Sequence, residues 1–300
     1  MAKLDRGFNQ TALKGSVGAV TYTRQKGTGD TIAKQKVPKH VIARQTIGLM
    51  RQRMQWANIV SMWRALNVVG WHPSFPTRNP GQSDYNAFVS RNVGRNRVWL
   101  TRDAVRGNAC VVAPYMITNG ILQPIVLSTS SGPMPVSDIA VGSLTIGAST
   151  TLEAFSRAVV ENNGGRFSYG DQITVVVASQ NQAEVSLIPI CECRCYEVTL
   201  QESDPESRLL EDILGAAVLM TEGGFLGISV SGSGQGGFAI VHSRETSEGT
   251  QVSTQSLVVV NSILANYTSA QAFDAAVKSY GGLAEVYYLT PNVDNVYING

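Results

Sequence analysis

Gln172-Ile173-Thr174-Val175-Val176-Val177-Ala178 and, further along, Gly236-Gly237-Phe238-Ala239-Ile240-Val241-His242-Ser243 are the two runs on which the reading of the fold turns. Both are short and rich in β-branched or aromatic residues, a composition that suits a pleated surface better than a helix. Further β-prone runs recur at 97–101, 109–113, 121–128, 183–200, 215–221, 225–231 and 251–260, with turn residues between them. Short strands at such spacing predict a β-sandwich or barrel-like body. A last strand is expected at 284–289, ahead of a polar tail.

Helices interrupt and precede this body. Residues 151–162 carry Leu152, Phe155, Ala158 and Val159 at helical spacing. Residues 268–280 carry Ala272, Phe273, Ala276, Val277 and Tyr280 behind a Thr268/Ser269 cap. The clearest helix is 46–66, opened by Thr46. Ile47, Met50, Met54, Ala57 and Met62 mark one apolar stripe, and Leu49, Trp56, Ile59, Trp63 and Leu66 a second. Two stripes predict a helix buried over most of its girth, with Arg51, Gln55 and Asn58 left for the polar face. A shorter helix is expected at 83–93, capped by Ser83 or Asp84, with Tyr85, Phe88 and Val89 turned inward. Pro73 and Pro76 keep the connection between the two from being helical.

Residues 7–37 read as an extended arm or hairpin. Gly15 to Thr23 is the outgoing strand, Lys26-Gly27-Thr28-Gly29-Asp30 supplies turn chemistry, and Thr31 to Val37 returns with a basic face before Pro38. A two-stranded hairpin is marginal by itself in water, so this one is expected to lie on a neighbour. The whole is thus an α+β chain, mainly β. It divides into a basic hairpin arm (1–40), a helical collar (41–96) and a β-rich, sandwich-like body with one or two inserted helices (97–300), with a further boundary near 202–208.

Charge is distributed as unevenly as secondary structure. The net charge is only +2 and charged residues make up 15% of the chain, against about 25% for ordinary soluble chains. Yet residues 1–107 hold 18 of the 24 Lys and Arg and 4 of the 22 acids, none of them Glu, for a charge of +14. The remainder is −12. A chain so polarised has three outlets: its basic third grips nucleic acid phosphates, grips the acidic part of a neighbouring copy, or folds back on its own body. The residues expected to carry such a contact are Arg24, Lys26, Lys34, Lys36, Lys39 and Arg44 on the arm and Arg51 and Arg53 on the collar. Arg91, Arg95, Arg97, Arg102 and Arg106 extend the basic run, or merely decorate a linker.

Chemistry-bearing motifs are sparse. Cys191-Glu192-Cys193-Arg194-Cys195 would line one side of a strand with thiols, but over a span of about 13 Å, too long for one metal ion without a bend. Core packing is the better reading. His40, His72 and His242 form no metal-type pair, and Gly232-Ser233-Gly234-Gln235-Gly236-Gly237 lies between strands rather than opening a helix, as a phosphate loop would. Glu211-Asp212, on a short helix after Pro205, reads as a solvated face. Met1 leads into a polar stretch and no apolar run approaches the ~20 residues of a membrane span. We therefore expect a non-enzymatic protein made in the cytoplasm, with no catalytic residues, cofactor, metal, small-molecule substrate or membrane contact.

The N-terminal residues add a resemblance. Gly15-x-Val17-Gly18-x-Val20-x-Tyr22, then Lys26-Gly27 and a basic return strand, then Thr46 opening a helix with Arg51-Gln52-Arg53, and finally Ser83-x-Tyr85-Asn86-Ala87-Phe88 resemble a family of Bacteroidetes and bacteriophage proteins of unassigned function. Similar proteins occur among the virion genes of crAss-like gut bacteriophages. The family's late Ser-Arg…Ser-Thr element is matched by Ser243-Arg244…Ser253-Thr254. The resemblance covers residues 7–95 and extends weakly beyond. The Cys triplet and the 151–162 helix lie outside the family pattern. It implies a virion component: a homo-oligomeric ring or connector subunit of the portal–tail assembly, touching other virion proteins. The alternative is a nucleic-acid-associated protein whose basic third faces packaged DNA. A glycan-binding or hydrolytic β-body is a third expectation class, disfavoured because Trp56, Trp63, Trp71 and Trp99 all precede that body or sit at its edge.

Overall fold

The run Ile173–Ala178 becomes the middle of a sheet whose two faces are both buried. In a strand, successive side chains point to opposite faces. Ile173, Val175 and Val177 join one apolar cluster, and Val176 and Ala178 join another. Phe238 and Ile240 likewise face the first, while Ala239 and Val241 face the second. This two-sided burial is why apolar residues occupy both faces of the run rather than alternating, with buried Thr174 the polar residue among them. Each such side chain contributes about 2 kcal/mol by leaving water.

The structure is a computed structural model and describes residues 2–3, 15–17, 20–24, 31–35, 47–68, 71–129, 134–182, 188–215, 217–229, 236–260 and 262–280. Its strands are β1 (Ala2–Lys3), β2 (Gly15–Val17), β3 (Val20–Arg24), β4 (Thr31–Gln35), β5 (Met116–Thr118), β6 (Leu127–Ser128), β7 (Val136–Ala140), β8 (Gln172–Gln182), β9 (Pro189–Thr199), β10 (Leu219–Glu222), β11 (Phe225–Ile228), β12 (Gly236–Thr246), β13 (Gly249–Val252), β14 (Gln255–Ser256) and β15 (Val258–Val260). Its helices are α1 (Ile47–Val68), α2 (Asp84–Asn92), α3 (Arg102–Arg106), α4 (Leu152–Asn162), α5 (Leu210–Leu214), α6 (Ser262–Thr268) and α7 (Ala270–Ser279). The fold is α+β and mainly β, with antiparallel sheets. Among the described residues no helix is long and apolar enough to cross a membrane.

The central sheet runs β13-β12-β8-β9, with β15 also paired to β12. Val175 sits opposite Ile240 on one side and Tyr196 on the other. Gly236 starts β12 where the backbones approach closely: a Cβ there would lie 2.4 Å from the Ala178 carbonyl oxygen. On one face pack α1, α2 and the extended segment around Val98–Ile117. On the other face pack α4, α5 and a second sheet of order β10-β11-β7-β6. Ser83, Thr151 and Ser269 cap α2, α4 and α7 by accepting main-chain N–H bonds. The stretch assigned to a collar thus contributes Ile59, Met62, Leu66 and Phe88 to the same cluster as Val176 and Ala239 of the body.

Several expectations are corrected. Gly15 to Thr23 is not one strand: Val17 pairs with Val20 and Gly15 with Tyr22, so the chain reverses between β2 and β3. The hairpin is therefore part of a four-stranded sheet of order β1-β4-β3-β2. Residues 98–100 and 109–113 are buried and apolar, but neither 97–101 nor 109–113 lies in a strand, and of 121–128 only Leu127–Ser128 forms one. Trp99 and Cys110 donate to the Tyr267 and Pro189 carbonyls, and side chains claim further backbone groups nearby. Asn58 donates to the Val111 carbonyl at 2.8 Å and accepts from its N–H at 2.7 Å. Gln180 accepts from Val112 N–H at 2.6 Å, and Asn92 brackets Met116 at 2.9 and 2.8 Å. Asn58, expected on a polar face, is fully buried for this reason, while Trp56, expected inside, is exposed. The expected strand 284–289 lies outside the described residues.

Candidate functional site

The structure sorts the eight basic residues expected to make contacts. Lys26, Lys36, Lys39 and Arg44 lie outside the described residues. Arg24 ends β3 opposite Thr31, and Lys34 is exposed on β4 opposite Thr21. Arg51 and Arg53 lie on the first turns of α1, half-buried and exposed respectively. Arg53 and Arg102 both act on Tyr280: burial raises its hydroxyl above the ordinary tyrosine value, and the two cations oppose that.

Arg51 opens onto a cleft of about 470 Å³ between α1 and α7. The cleft is built by long-range contacts. Met50 and Met54 of α1 pack with Ala276 and Val277 of α7 and with Trp99. Trp99 N–H donates to the Tyr267 carbonyl at 2.8 Å, and Arg102 N–H to Ser279 Oγ at 2.9 Å, pinning α6 and α7 to the 99–102 segment. Phe273 meets Trp99 edge-on at 4.8 Å, and the Arg51 guanidinium lies 5.1 Å from the Phe273 centroid, a cation–π distance. Arg97, Gln52 and Gln55 line the same cleft, with the Ser269-capped start of α7 at its edge. Arg97 belongs to the basic run read from sequence. Trp99 and Phe273 were legible only as apolar residues, because nothing local announces a partner some 170 positions away.

Two further clusters contain groups capable of chemistry. Cys191, Cys193 and Cys195 all pack against the α1-side core, as the core reading requires. Cys191 Sγ lies 3.6 Å from Cys193 Sγ and 3.9 Å from Met62 Sδ, which also meets Cys110 Sγ at 3.9 Å. The Cys110 contact and burial push the Cys191 thiol far up, the Cys191 contact and burial do the same to Cys193, and burial raises Cys195 to about 12. Thiols held protonated are the reverse of reactive or metal-ready thiolates. Among the described residues no group of three or more His, Cys, Asp and Glu is placed to hold a metal ion.

The second cluster went unseen in the sequence. Asp171 receives Arg244 at 2.7 Å on each carboxylate oxygen, His242 Nε2 at 2.8 Å and the Ser168 N–H at 2.9 Å. Burial alone would raise the Asp171 carboxyl, but these donors outweigh it and hold it below the usual carboxylate range. Burial lowers the His242 pKa despite Asp171, so the ring is neutral and donates from Nε2. An imidazole oriented by a carboxylate is half of an acid–base constellation. Here, however, His242 is 1% exposed and Phe167 covers its ring at 4.7 Å. Its main-chain N–H donates to Ser253 Oγ, whose own N–H returns to the His242 carbonyl. The geometry is a clamp that joins the 166–171 loop to β12. Ser243-Arg244…Ser253-Thr254 therefore forms one corner of the sheet: Ser243 pairs with Val252, and Thr254 Oγ1 donates to the Gly120 carbonyl.

Comparison of the chain with protein-family models, with curated proteins and with solved structures gives no match.

Proposed function

We propose that the protein is a non-enzymatic structural subunit of a bacteriophage virion, one of several copies in a ring or connector of the portal–tail assembly. The observation that carries this is how the two charged parts of the chain spend their charges. In the basic third, Arg78 pairs with Asp84 and Arg106 with Asp103, both acids of that same third. In the acidic remainder, Asp138, Asp171, Asp204 and Asp274 pair with Arg166, Arg244, Arg208 and Lys278 of that remainder. These pairs, all among the described residues, close within their own part of the chain, which supports a reading in which the two oppositely charged parts face other molecules. The N-terminal sheet adds a second support. None of its described side chains is buried: Val20, Thr21, Tyr22, Ile32 and Ala33 are half-buried, and Thr23, Lys34 and Gln35 exposed. A small sheet with so little buried surface gains stability by packing on a neighbour. The resemblance of residues 7–95 to virion proteins supplies the setting.

Mass determination in solution tests the reading. We expect a discrete oligomer of the 32.2 kDa chain that weakens as salt rises. Deleting residues 1–40 is expected to abolish assembly while the circular dichroism and unfolding transition of the body persist. Normal assembly after the deletion would overturn the proposal. A chain that stays monomeric yet binds duplex DNA with a steep salt dependence would move it to the nucleic-acid reading.

A further inference from the structure

The geometry points to a head-to-tail contact in which the α1–α7 cleft of one copy takes the acidic turn 202–212 of the next. This rests on the assembly proposed above and names its contact surface. The receiving side presents Arg51 and Arg97 with the amides of Gln52 and Gln55, and no carboxylate is among the described residues that line it. Two arginines lining one concave site, with side-chain amides beside them, suit a carboxylate-bearing guest. Phe273 holds the Arg51 head from below, so that cation is positioned before any guest arrives.

The chain carries a matching guest. Glu202, Asp204, Glu206, Glu211 and Asp212 fall within one short turn and helix start, against the single base Arg208. Asp204 is buried and spends itself internally. It accepts from the Arg208 N–H at 2.8 Å and from Arg208 Nε at 3.2 Å, and it lies below its usual carboxylate range because those bonds outweigh its burial. Ser207 holds a left-handed backbone, φ 49°, that shapes the turn. Glu202, Glu206 and Asp212 are left pointing to solvent from a turn already ordered, so docking costs little chain entropy. Arg208 touches Glu206 only at 3.7 Å across an exposed gap, a weak competitor.

Topology keeps guest and host apart in one chain. α1 packs on the sheet face of Val176 and Ala239, whereas Leu210 and Leu214, which root the acidic turn, pack on the face of Ile173 and Val175. The central sheet stands between them, so the turn of one copy meets the cleft of another. Such a contact uses two different surfaces, and repeated it generates a ring when the rotation closes.

The test uses the full chain and two charge reversals at exposed positions, Arg97→Glu and Glu206→Arg, followed by sedimentation velocity at low and high salt. Each variant alone is expected to weaken self-association at least about tenfold, with Arg97→Ala showing a smaller loss in the same direction. Mixed one to one, the two reversals retain one intact junction, the turn of Arg97→Glu in the cleft of Glu206→Arg. The other junction brings the reversed turn to the reversed cleft, a swapped pair of opposite charges, so the mixture is expected to form at least heterodimers where each variant alone does not. Wild-type assembly by both variants would overturn the contact while leaving the ring proposal standing, as would a mixture that forms no heterodimer. A wild-type chain that is monomeric throughout would remove the ring proposal and the contact together. If Arg97→Glu instead loses binding to a short DNA duplex with its self-association intact, the cleft belongs to nucleic acid and the inference fails.

Discussion

The two faces of the central sheet are closed by different chemistry. On the α1 side, an extended segment outside any strand has its backbone polar groups taken up by neutral amides: Asn58 on Val111, Gln180 on Val112 and Cys110, Asn92 on Met116. On the α4 side, the edge of the sheet is held by charges: Arg244 and His242 on Asp171, Arg166 on Asp138. The amides are indifferent to pH and salt, whereas the charged clamp depends on protonation. The amide bracket on one side is thus insensitive to pH, and the charged clamp on the other adds acid sensitivity to the fold.

Three experiments break or sharpen that contrast. The largest effect is expected from Asn58→Ala, which strands the Val111 N–H, the Val111 carbonyl and the Tyr115 hydroxyl in the core. Leaving buried polar groups unsatisfied costs 1–3 kcal/mol each, so a loss of about 4 kcal/mol is expected in urea unfolding at pH 7. A loss below about 1 kcal/mol would mean the amide bracket is dispensable. Asp171→Asn is expected to cost less, about 2 kcal/mol, because it keeps the shape of the carboxylate but weakens bonds from a charged donor. Leaving the Arg244 guanidinium and the buried His242 N–H without their anion is the harsher alternative, and Asp171→Ala separates the two.

The smallest effect concerns pH. His242 is held below its ordinary value chiefly by burial. As pH falls below about 6.5 the unfolded chain takes up a proton there that the native chain refuses, so native stability declines on the acid side. Asp171, also held below its ordinary range, adds a second decline below about pH 4. His242→Gln is expected to remove the upper decline, and Asn58→Ala to leave the slope of the wild type untouched. An unchanged slope in His242→Gln would place the acid sensitivity elsewhere.

Much of the fold was legible because its signals are local. The capping side chains of Ser83, Thr151 and Ser269 sit within three residues of the N–H groups they accept. The strand runs around Val175 and Ile240 are dense in β-branched residues whatever their neighbours do. The errors share one cause. Val98–Leu100 and Ala109–Ala113 are as apolar as any strand, but a strand needs a ladder of backbone partners; Trp99 N–H instead meets the Tyr267 carbonyl of α6, and Val111 and Val112 meet the side chains of Asn58 and Gln180. Asn58 read as the polar stripe of a helix because a helical wheel cannot tell an amide facing water from one facing a stranded backbone. Its position between two apolar stripes was the one available hint.

By itself, then, the sequence determined where the chain is helical or extended, that the body is β-rich, and that its charge is split end to end. Those properties depend on residues a few positions apart or on simple composition. Tertiary structure alone decided that the apolar run at 172–178 is covered on both faces, that Asp171 meets His242 and Arg244, and that Arg51, Arg97 and Phe273 share a cleft. Each of those contacts joins residues tens to hundreds of positions apart, and proximity at that range is set by packing rather than by any local preference of the chain.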